Sequence, residues 1–152
     1  MANTQAMCNS FKLQLLTAGH CFAATNPVRG SAAADTFKAA LYLTTATMNS
    51  ATTLYTTLGE VTGTNYTAGG VTVTNATAPL LYTSTATWTP SANLVWTTAT
   101  LATAFDTVLI YNSTQSNNAV SVHTFGAQTV TAGTFTLTMP TPGAGTSLIN
   151  LA

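Results

Sequence analysis

Charge is the property that this sequence has least of. Only 4% of its 152 residues are charged, against about 25% in an ordinary globular domain. Beyond Asp106 the only residue that can carry a positive charge is His123. A folded chain of this mass exposes roughly 7,000 Å², so we expect a surface made mainly of threonine, serine, asparagine, alanine and glycine. The charged residues are Lys12, Arg29, Asp35, Lys38, Glu60 and Asp106.

This shortage of charge excludes some functions and favours others. Three basic residues, all within the first 38 positions, cannot follow a phosphate backbone, so nucleic-acid binding is not expected. A formal net charge of zero leaves little repulsion between copies, which favours self-association. Hydrophobic residues make up 46% of the chain, so it is expected to fold.

Long apolar runs are also absent. No stretch approaches the roughly 20 apolar residues of a membrane span, so no membrane partner is predicted. The first residues, MANTQAMCNSFKLQLL, lack a basic region followed by an apolar one, so no secretory signal is predicted. The two cysteines, Cys8 and Cys21, are compatible with free thiols. A disulfide between them requires the chain to bend back, because an intervening helix would separate them by about 20 Å.

Groups for catalysis are equally scarce. Asp35, Glu60 and Asp106 are isolated in sequence, and no nucleophile elbow, P-loop or dinucleotide-binding glycine pattern occurs. We therefore predict no enzymatic activity, no catalytic residue and no cofactor. Glu60 is expected to be exposed, hydrogen-bonded to loop amides or paired with a basic group, because an unpaired buried carboxylate is costly. Lys38 is a candidate partner for a carboxylate near Asp35.

Possible metal ligands and glycosylation sequences are present but weak. Cys8, His20 and Cys21 offer ligands that suit zinc, but no Cys-x-x-Cys pairing accompanies them, so buried thiols and no metal site are predicted. His123 alternates with Ser121 and Phe125 on a predicted strand, where a cross-strand hydrogen bond is expected. The glycosylation pattern at Asn65, Asn75 and Asn112 arises easily by chance in a chain so rich in threonine.

One helix is predicted, near the start of the chain. Thr4 is the candidate N-cap and Gly19 the candidate stop. The apolar residues at helical spacing are Met7, Phe11, Leu15 and Ala18. Residues 20–34 are predicted to form a loop containing Pro27 and Gly30. Residues 1–34 would then form either an arm that docks on a partner or a helix that closes one end of the fold.

Alternation of apolar and polar residues predicts strands after Asp35. The clearest hairpin joins Val108–Tyr111 to Val120–Val122 across NSTQSNN. We predict one antiparallel β-sandwich or barrel of about eight strands over residues 35–152. The predicted strands are 35–45, 71–74, 80–88, Leu94–Thr98, Leu101–Phe105, Thr107–Tyr111, Ala119–Phe125, Thr134–Met139 and Leu148–Leu151.

Two similar segments, TAGGVTVT (67–74) and TAGTFTLT (131–138), begin with Thr-Ala-Gly and then place threonine at every second position. They mark equivalent hairpins, or the same turn chemistry arose twice. Either way, the threonine face is neutral and can be buried against a neighbour without desolvating charge. It also lacks the charges that usually protect strand edges from pairing.

Several stretches together resemble a family of small virion structural proteins of tailed bacteriophages. They are CNSFKLQLL (8–16), DTFKAALYLTTATM (35–48), EVTGTNYTAGG (60–70), LIYNSTQSNNAVSVHTFG (109–126) and TVTAGTFTLTMP (129–140). The resemblance implies a non-enzymatic subunit of a virion assembled in the host cytoplasm. It implies a homo-oligomer that contacts the major capsid protein or other virion subunits. The leading expectation is a capsid decoration (cement) protein, and the alternative is a tail or adaptor protein.

Two further classes compete with assembly. A carbohydrate-binding or host-surface-binding β-domain would need exposed aromatic platforms, but the tryptophans fall within predicted strands, which favours core packing. The aromatic candidates are Trp88, Trp96, Tyr42, Tyr55, Tyr66 and Tyr111. Ice binding would need a constant Thr-x-Thr repeat, and the spacing here is irregular.

Overall fold

A computed structural model describes residues 2–23, 33–74 and 78–152. The fold is mainly β, with one helix and two antiparallel sheets, as the sequence predicts. In chain order the elements are β1 (Ala6–Met7), α1 (Asn9–Leu16), β2 (Phe37–Leu43), β3 (Val71–Thr72), β4 (Leu80–Tyr82), β5 (Thr85–Trp88), β6 (Leu94–Asn112), β7 (Asn118–Leu137) and β8 (Ile149–Leu151).

The larger sheet has the order β1-β7-β6-β2-β3, and the smaller has the order β4-β5-β8. Neither sheet closes on itself within the described residues, so the two open sheets fit the predicted sandwich better than a closed barrel. The sheets meet where Phe37 of β2 packs against Trp88 of β5, with their ring centroids 5.6 Å apart. Phe22 packs against both rings, at 4.4 Å and 4.8 Å.

The predicted hairpin at residues 108–122 is confirmed, but its strands are far longer than expected. Three predicted short strands join into β6, of 19 residues, and two join into β7, of 20 residues. The breaks in alternation that suggested separate strands are absorbed by register shifts along the β6–β7 ladder. Two of these shifts coincide with residues of positive φ, Thr98 at 48° and Ala132 at 46°. Bulges of this kind add a residue without ending a strand.

The predicted strand over 80–88 is instead a hairpin. Leu80–Tyr82 pairs with Thr85–Trp88, and the chain turns at Thr83, whose φ is 53°. Alternation alone did not reveal this turn, because threonine and serine lack the conformational signature of a glycine turn.

The helix is shorter than predicted and starts later. Thr4 is not its N-cap, because the backbone N–H of Thr4 donates to Met48 O and Ala6–Met7 pair with β7. The helix ends close to the predicted stop, through a Schellman motif: Gly19 N–H donates to Gln14 O, and Ala18 N–H donates to Leu15 O. Ala18, not glycine, occupies the left-handed position, with φ of 54°.

In both threonine-rich segments (67–74 and 131–138), the alternation of apolar and polar residues correctly predicts which side chains face inward. Val73 is buried and Phe135 and Leu137 are half-buried, while Thr72, Thr134 and Thr136 are exposed. The two segments nevertheless differ in backbone structure. In the first, Gly69 and Gly70 both have positive φ, and a Cβ on Gly70 would lie 1.8 Å from Ala39 O. The second lies within β7 and has no such close approach.

Candidate interaction surface

The outer half of the β6–β7 hairpin presents the most distinctive surface of the molecule. Between Gly126 and Leu137 no residue of β7 is charged and none is fully buried. The facing half of β6, from Leu94 to Phe105, alternates buried residues with exposed threonine, valine and alanine. The hairpin therefore offers a neutral surface of hydroxyl and methyl groups.

One edge of β7 is left open in this half. Within the described residues, β7 pairs with β6 on one side, and on the other only Val122 and Ser121 pair with β1. Four consecutive residues, from Gly126 to Thr129, are exposed, as expected for a strand that projects beyond its neighbours. The usual protection of an edge by lysine or proline is missing here.

Glu60 lies at the centre of a buried polar cluster and is only 5% exposed. Its Oε1 accepts hydrogen bonds from Gly69 N–H at 2.7 Å and from Tyr66 Oη at 2.9 Å. Its Oε2 accepts from Tyr55 Oη at 2.7 Å. Of the three environments expected for Glu60, exposure is wrong and hydrogen bonding to a loop amide is confirmed by Gly69. The two tyrosine hydroxyls were not predicted.

The cluster continues into the larger sheet. Tyr66 Oη also accepts from Leu41 N–H of β2 at 2.9 Å, and Tyr111 Oη of β6 donates to Gly69 O at 2.9 Å. The Glu60 carboxylate thus fixes residues 55–69 against the sheet. Burial, with the neighbouring negative charge of Glu60, raises the pKa of Tyr111 to about 12. The same causes raise the pKa of Tyr66 further, so these phenols are donors, not nucleophiles.

Asp35 plays a comparable part at the other end of β2. It is buried, and its Oδ2 accepts from Cys21 N–H at 2.8 Å and from Asn112 Nδ2 at 2.7 Å. Asn112 Nδ2 also lies 2.9 Å from His20 Nδ1, and His20 Nε2 lies 2.8 Å from Gln14 Oε1. This network joins the segment after α1 to the turn of the long hairpin. Arg29, Pro27 and Gly30 of the predicted loop lie outside the described residues.

The third carboxylate anchors the start of the chain. Asp106 Oδ1 accepts from Asn3 Nδ2 at 2.7 Å and from Thr107 Oγ1 at 2.8 Å. Asn3 in turn donates to Leu43 O and accepts from Met48 N–H. All three carboxylates therefore hold segments of the chain in place. No ion pair with Lys38, the expected partner, is found among the described residues.

His123 is half-buried, and burial lowers its pKa to about 4. Its Nε2 lies 2.9 Å from Ser121 Oγ, two residues back on the same strand. The expected cross-strand partner is thus replaced by one on β7 itself. No carboxylate hydrogen-bonds to this pair within the described residues, so a third group to orient the imidazole is missing there.

Cys8 and Cys21 are both free and buried. Burial raises the pKa of Cys8 to about 11, which leaves it a protonated, unreactive thiol. Across the described parts of the chain, no three histidine, cysteine or acidic residues are grouped so as to hold a metal ion. His20 is used in the Asp35 network described above.

The aromatic side chains proposed as binding platforms are mostly interior. Trp88, Trp96, Tyr42 and Tyr111 are buried, and Tyr55 and Tyr66 direct their hydroxyls to Glu60. Core packing of both tryptophans, as the sequence predicts, is confirmed. Within the part of the chain that the structure describes, the indole N–H groups of Trp88 and Trp96 have no hydrogen-bond partner. The four buried rings therefore present no open face for stacking on a sugar.

A small apolar cleft of about 180 Å³ lies between α1 and the smaller sheet. Leu15, Trp88 and Leu151 are among the residues that line it. Two leucines of α1, Leu13 and Leu16, are 65% and 86% exposed. The cleft itself is therefore mainly apolar, and none of its lining residues is acidic.

The structure describes Asn65 and Asn112 of the three glycosylation matches, and Asn75 lies outside the described residues. The amide of Asn112 is fully buried and bonded to Asp35, so it is inaccessible to modification. Asn65 is exposed, and its Nδ2 donates to Thr98 O at 2.9 Å.

Comparison of the chain with protein-family models, curated protein sequences and solved structures finds no match. No helix among the described residues is long and apolar enough to span a membrane. The function must therefore be inferred from the chain's own residues.

Proposed function

We propose that this chain is a non-enzymatic structural subunit of a bacteriophage virion, and specifically a capsid decoration protein that binds and stabilises neighbouring capsid subunits. The observation that carries the proposal is the uncharged outer half of the β6–β7 hairpin, with its exposed threonines and open strand edge. The resemblance of the sequence to small phage virion proteins supplies the biological setting.

The energetics of burial favour such a surface for assembly. Burying an unpaired charge at an interface costs several kcal/mol, and this hairpin has no charge to bury between Thr107 and Leu137. Threonine loses little side-chain entropy compared with lysine or glutamate when it is immobilised. A neighbouring subunit can therefore cover this surface at low cost.

The use of the carboxylates supports the same proposal. Glu60, Asp35 and Asp106 each accept hydrogen bonds that anchor a segment of the fold. An acid–base pair for catalysis requires two titratable groups at one accessible site. The described residues instead distribute their carboxylates among three separate anchoring points.

The proposal is tested by the composition of purified virions whose genome encodes this sequence. Quantitative mass spectrometry is expected to find the chain at a copy number comparable to that of the major capsid protein. Particles that lack it are expected to lose their DNA at a lower temperature, and added purified chain should restore the wild-type temperature. Absence from the particle, or a handful of copies confined to the tail, would refute the decoration role.

A further inference from the structure

The open edge of β7 has a regular part and an irregular part. Between Thr124 and Phe135 its ladder with β6 is broken by successive register shifts, and at the last of them, between Gly133 and Phe135, the extra residue lies on β6 and not on β7. From Phe135 to Leu137 the pairing with Trp96, Val95 and Leu94 is consecutive and regular. A strand added to the outer edge needs such a regular stretch, because bulges twist an edge away from a partner.

Burial alternates strictly in the same stretch. Gly133, Phe135 and Leu137 are half-buried, whereas Thr134 and Thr136 are exposed. Phe135 already packs on Phe105 with centroids 5.0 Å apart and on Trp96 at 5.7 Å. It nevertheless stays partly open, because no strand lies beyond β7 there among the described residues. The edge thus carries unpaired backbone groups beside incompletely covered apolar side chains.

We propose that a second copy of this chain pairs with this edge, antiparallel and around a two-fold axis at Phe135. Phe135 then lies opposite Phe135 of the other copy on the inner face. On the outer face each Thr134 lies opposite Thr136 of the other copy. Aromatic pairs and threonine pairs are both favourable when directly opposed across antiparallel strands.

A second copy fits this edge because the edge is neutral and the chain has a formal net charge of zero. Identical copies with a charged edge would place like charges opposite each other, which is unfavourable. A charged partner strand would find no complementary charge between Thr107 and Leu137. The two-fold arrangement also closes, because the edge that pairs is used up in both copies.

The interface is small by comparison with permanent dimers. The five residues Gly133–Leu137 span only about 17 Å, so the buried area falls well below the roughly 1,200–2,000 Å² of stable interfaces. The dimer is therefore weak in dilute solution and is strengthened where copies are held close together. The inference deepens the proposed function and rests on it for that setting, whereas the pairing itself is a property of the isolated chain.

The test uses sedimentation equilibrium of the full chain at concentrations up to about 1 mM, where weak pairs of this size become populated. The wild type is expected to show a reversible monomer–dimer equilibrium. The double variant Thr134→Lys/Thr136→Lys should raise the dimer dissociation constant at least tenfold. The matched control Thr57→Lys/Thr62→Lys adds the same charge at exposed positions outside the strands, and its dissociation constant should change less than threefold.

A mixture of two oppositely charged variants tests the register of the pairing and distinguishes a weakened interface from a folding defect. Thr134→Glu/Thr136→Glu mixed with the lysine double variant should form heterodimers, because each lysine then opposes a glutamate. A wild type that stays monomeric at 1 mM, equal weakening by both lysine variants, or no heterodimer in the mixture would overturn the inference. If the chain is found abundantly in virions but fails these solution tests, the proposed function survives and the pairing does not.

Discussion

Glu60 allows a quantitative test of how this nearly uncharged chain uses its few charges. Replacing Glu60 with alanine removes three hydrogen bonds to a charged acceptor and leaves the buried N–H of Gly69 without a partner. Each buried unsatisfied donor costs about 1–3 kcal/mol. The half-buried tyrosine hydroxyls recover part of their loss by bonding to water. We therefore expect Glu60→Ala to lower the free energy of unfolding by about 3–5 kcal/mol.

Glu60→Gln separates hydrogen bonding from charge. The glutamine oxygen can still accept from Gly69 N–H and Tyr66 Oη, and its amide can donate to Tyr55 Oη. Only the charge assistance is lost, so the expected cost is about 1–2 kcal/mol. Thr57→Ala is the matched control, because its side chain is exposed on the same loop and surface changes of this kind stay within about 0.5 kcal/mol.

The assay is urea unfolding followed by fluorescence of the buried Trp88 and Trp96. The lower free energy of unfolding of each Glu60 variant should also appear as a fall in Tm of about 2–4 °C per kcal/mol for a chain of this size. In a double-mutant cycle, Tyr55→Phe should cost about 1 kcal/mol in the wild type and almost nothing beside Glu60→Ala. The reasoning is wrong if Glu60→Ala costs less than about 1 kcal/mol, or if Glu60→Gln costs as much as Glu60→Ala.

Three other predictions concern stability. Because burial lowers the pKa of His123 from 6.5 to about 4, the unfolded state takes up a proton first as the pH falls. The free energy of unfolding should therefore drop by roughly 1–2 kcal/mol as the pH falls from 6.5 to about 4, after allowance for the partial exposure of His123. At high pH, the raised pKa values of Tyr42, Tyr55, Tyr66 and Tyr111 keep the native phenols protonated. Stability should fall above pH 10, with phenolate absorbance rising together with loss of the β-sheet circular dichroism. Finally, Ala18→Gly should stabilise the chain by about 0.5–1 kcal/mol, because alanine is strained at a φ of 54°.

Each of these predictions has a control variant or an outcome that would contradict it. His123→Gln should abolish the His123 part of the acid loss, and an unchanged pH dependence in this variant would assign the loss to other groups. If the phenols titrated before the circular dichroism changed, the native tyrosines would be accessible, contrary to their burial. For the helix terminus the control is Ala51→Gly, because Ala51 is exposed and has no positive φ. This variant should not be more stable than the wild type. Equal gains in stability for Ala18→Gly and Ala51→Gly would show that Ala18 is not strained.

Alternation predicted the fold class and the inward faces correctly because both depend on local sequence. Val71, Val73, Phe135 and Leu137 face inward as the period of two requires. The same reasoning could not predict that β6 runs unbroken for 19 residues. Bulges at residues such as Thr98 keep a strand continuous where the pattern is interrupted, and they depend on the partner strand.

The polar clusters were predicted less well, since they join residues far apart in the chain. A loop amide was one of three environments expected for Glu60, and the structure supplies it from Gly69, nine residues away. The bond between Asp35 and Asn112 links positions 77 residues apart. No signal in the sequence pointed to it except the low overall charge, which makes each carboxylate costly to leave unpaired. The Thr4 N-cap was wrong because strand pairing at Ala6 overrides a local capping preference.

The internal use of all three carboxylates has a consequence for how the molecule responds to salt. Glu60 and Asp35 are buried and Asp106 is half-buried, and the open edge of β7 carries no charge, so ions have little to screen at that edge. Attraction between such surfaces comes from backbone pairing and apolar contact, neither of which is weakened by raising the ionic strength. Contacts made by this protein should therefore keep their affinity from dilute buffer to molar salt, where charge-based interfaces dissociate.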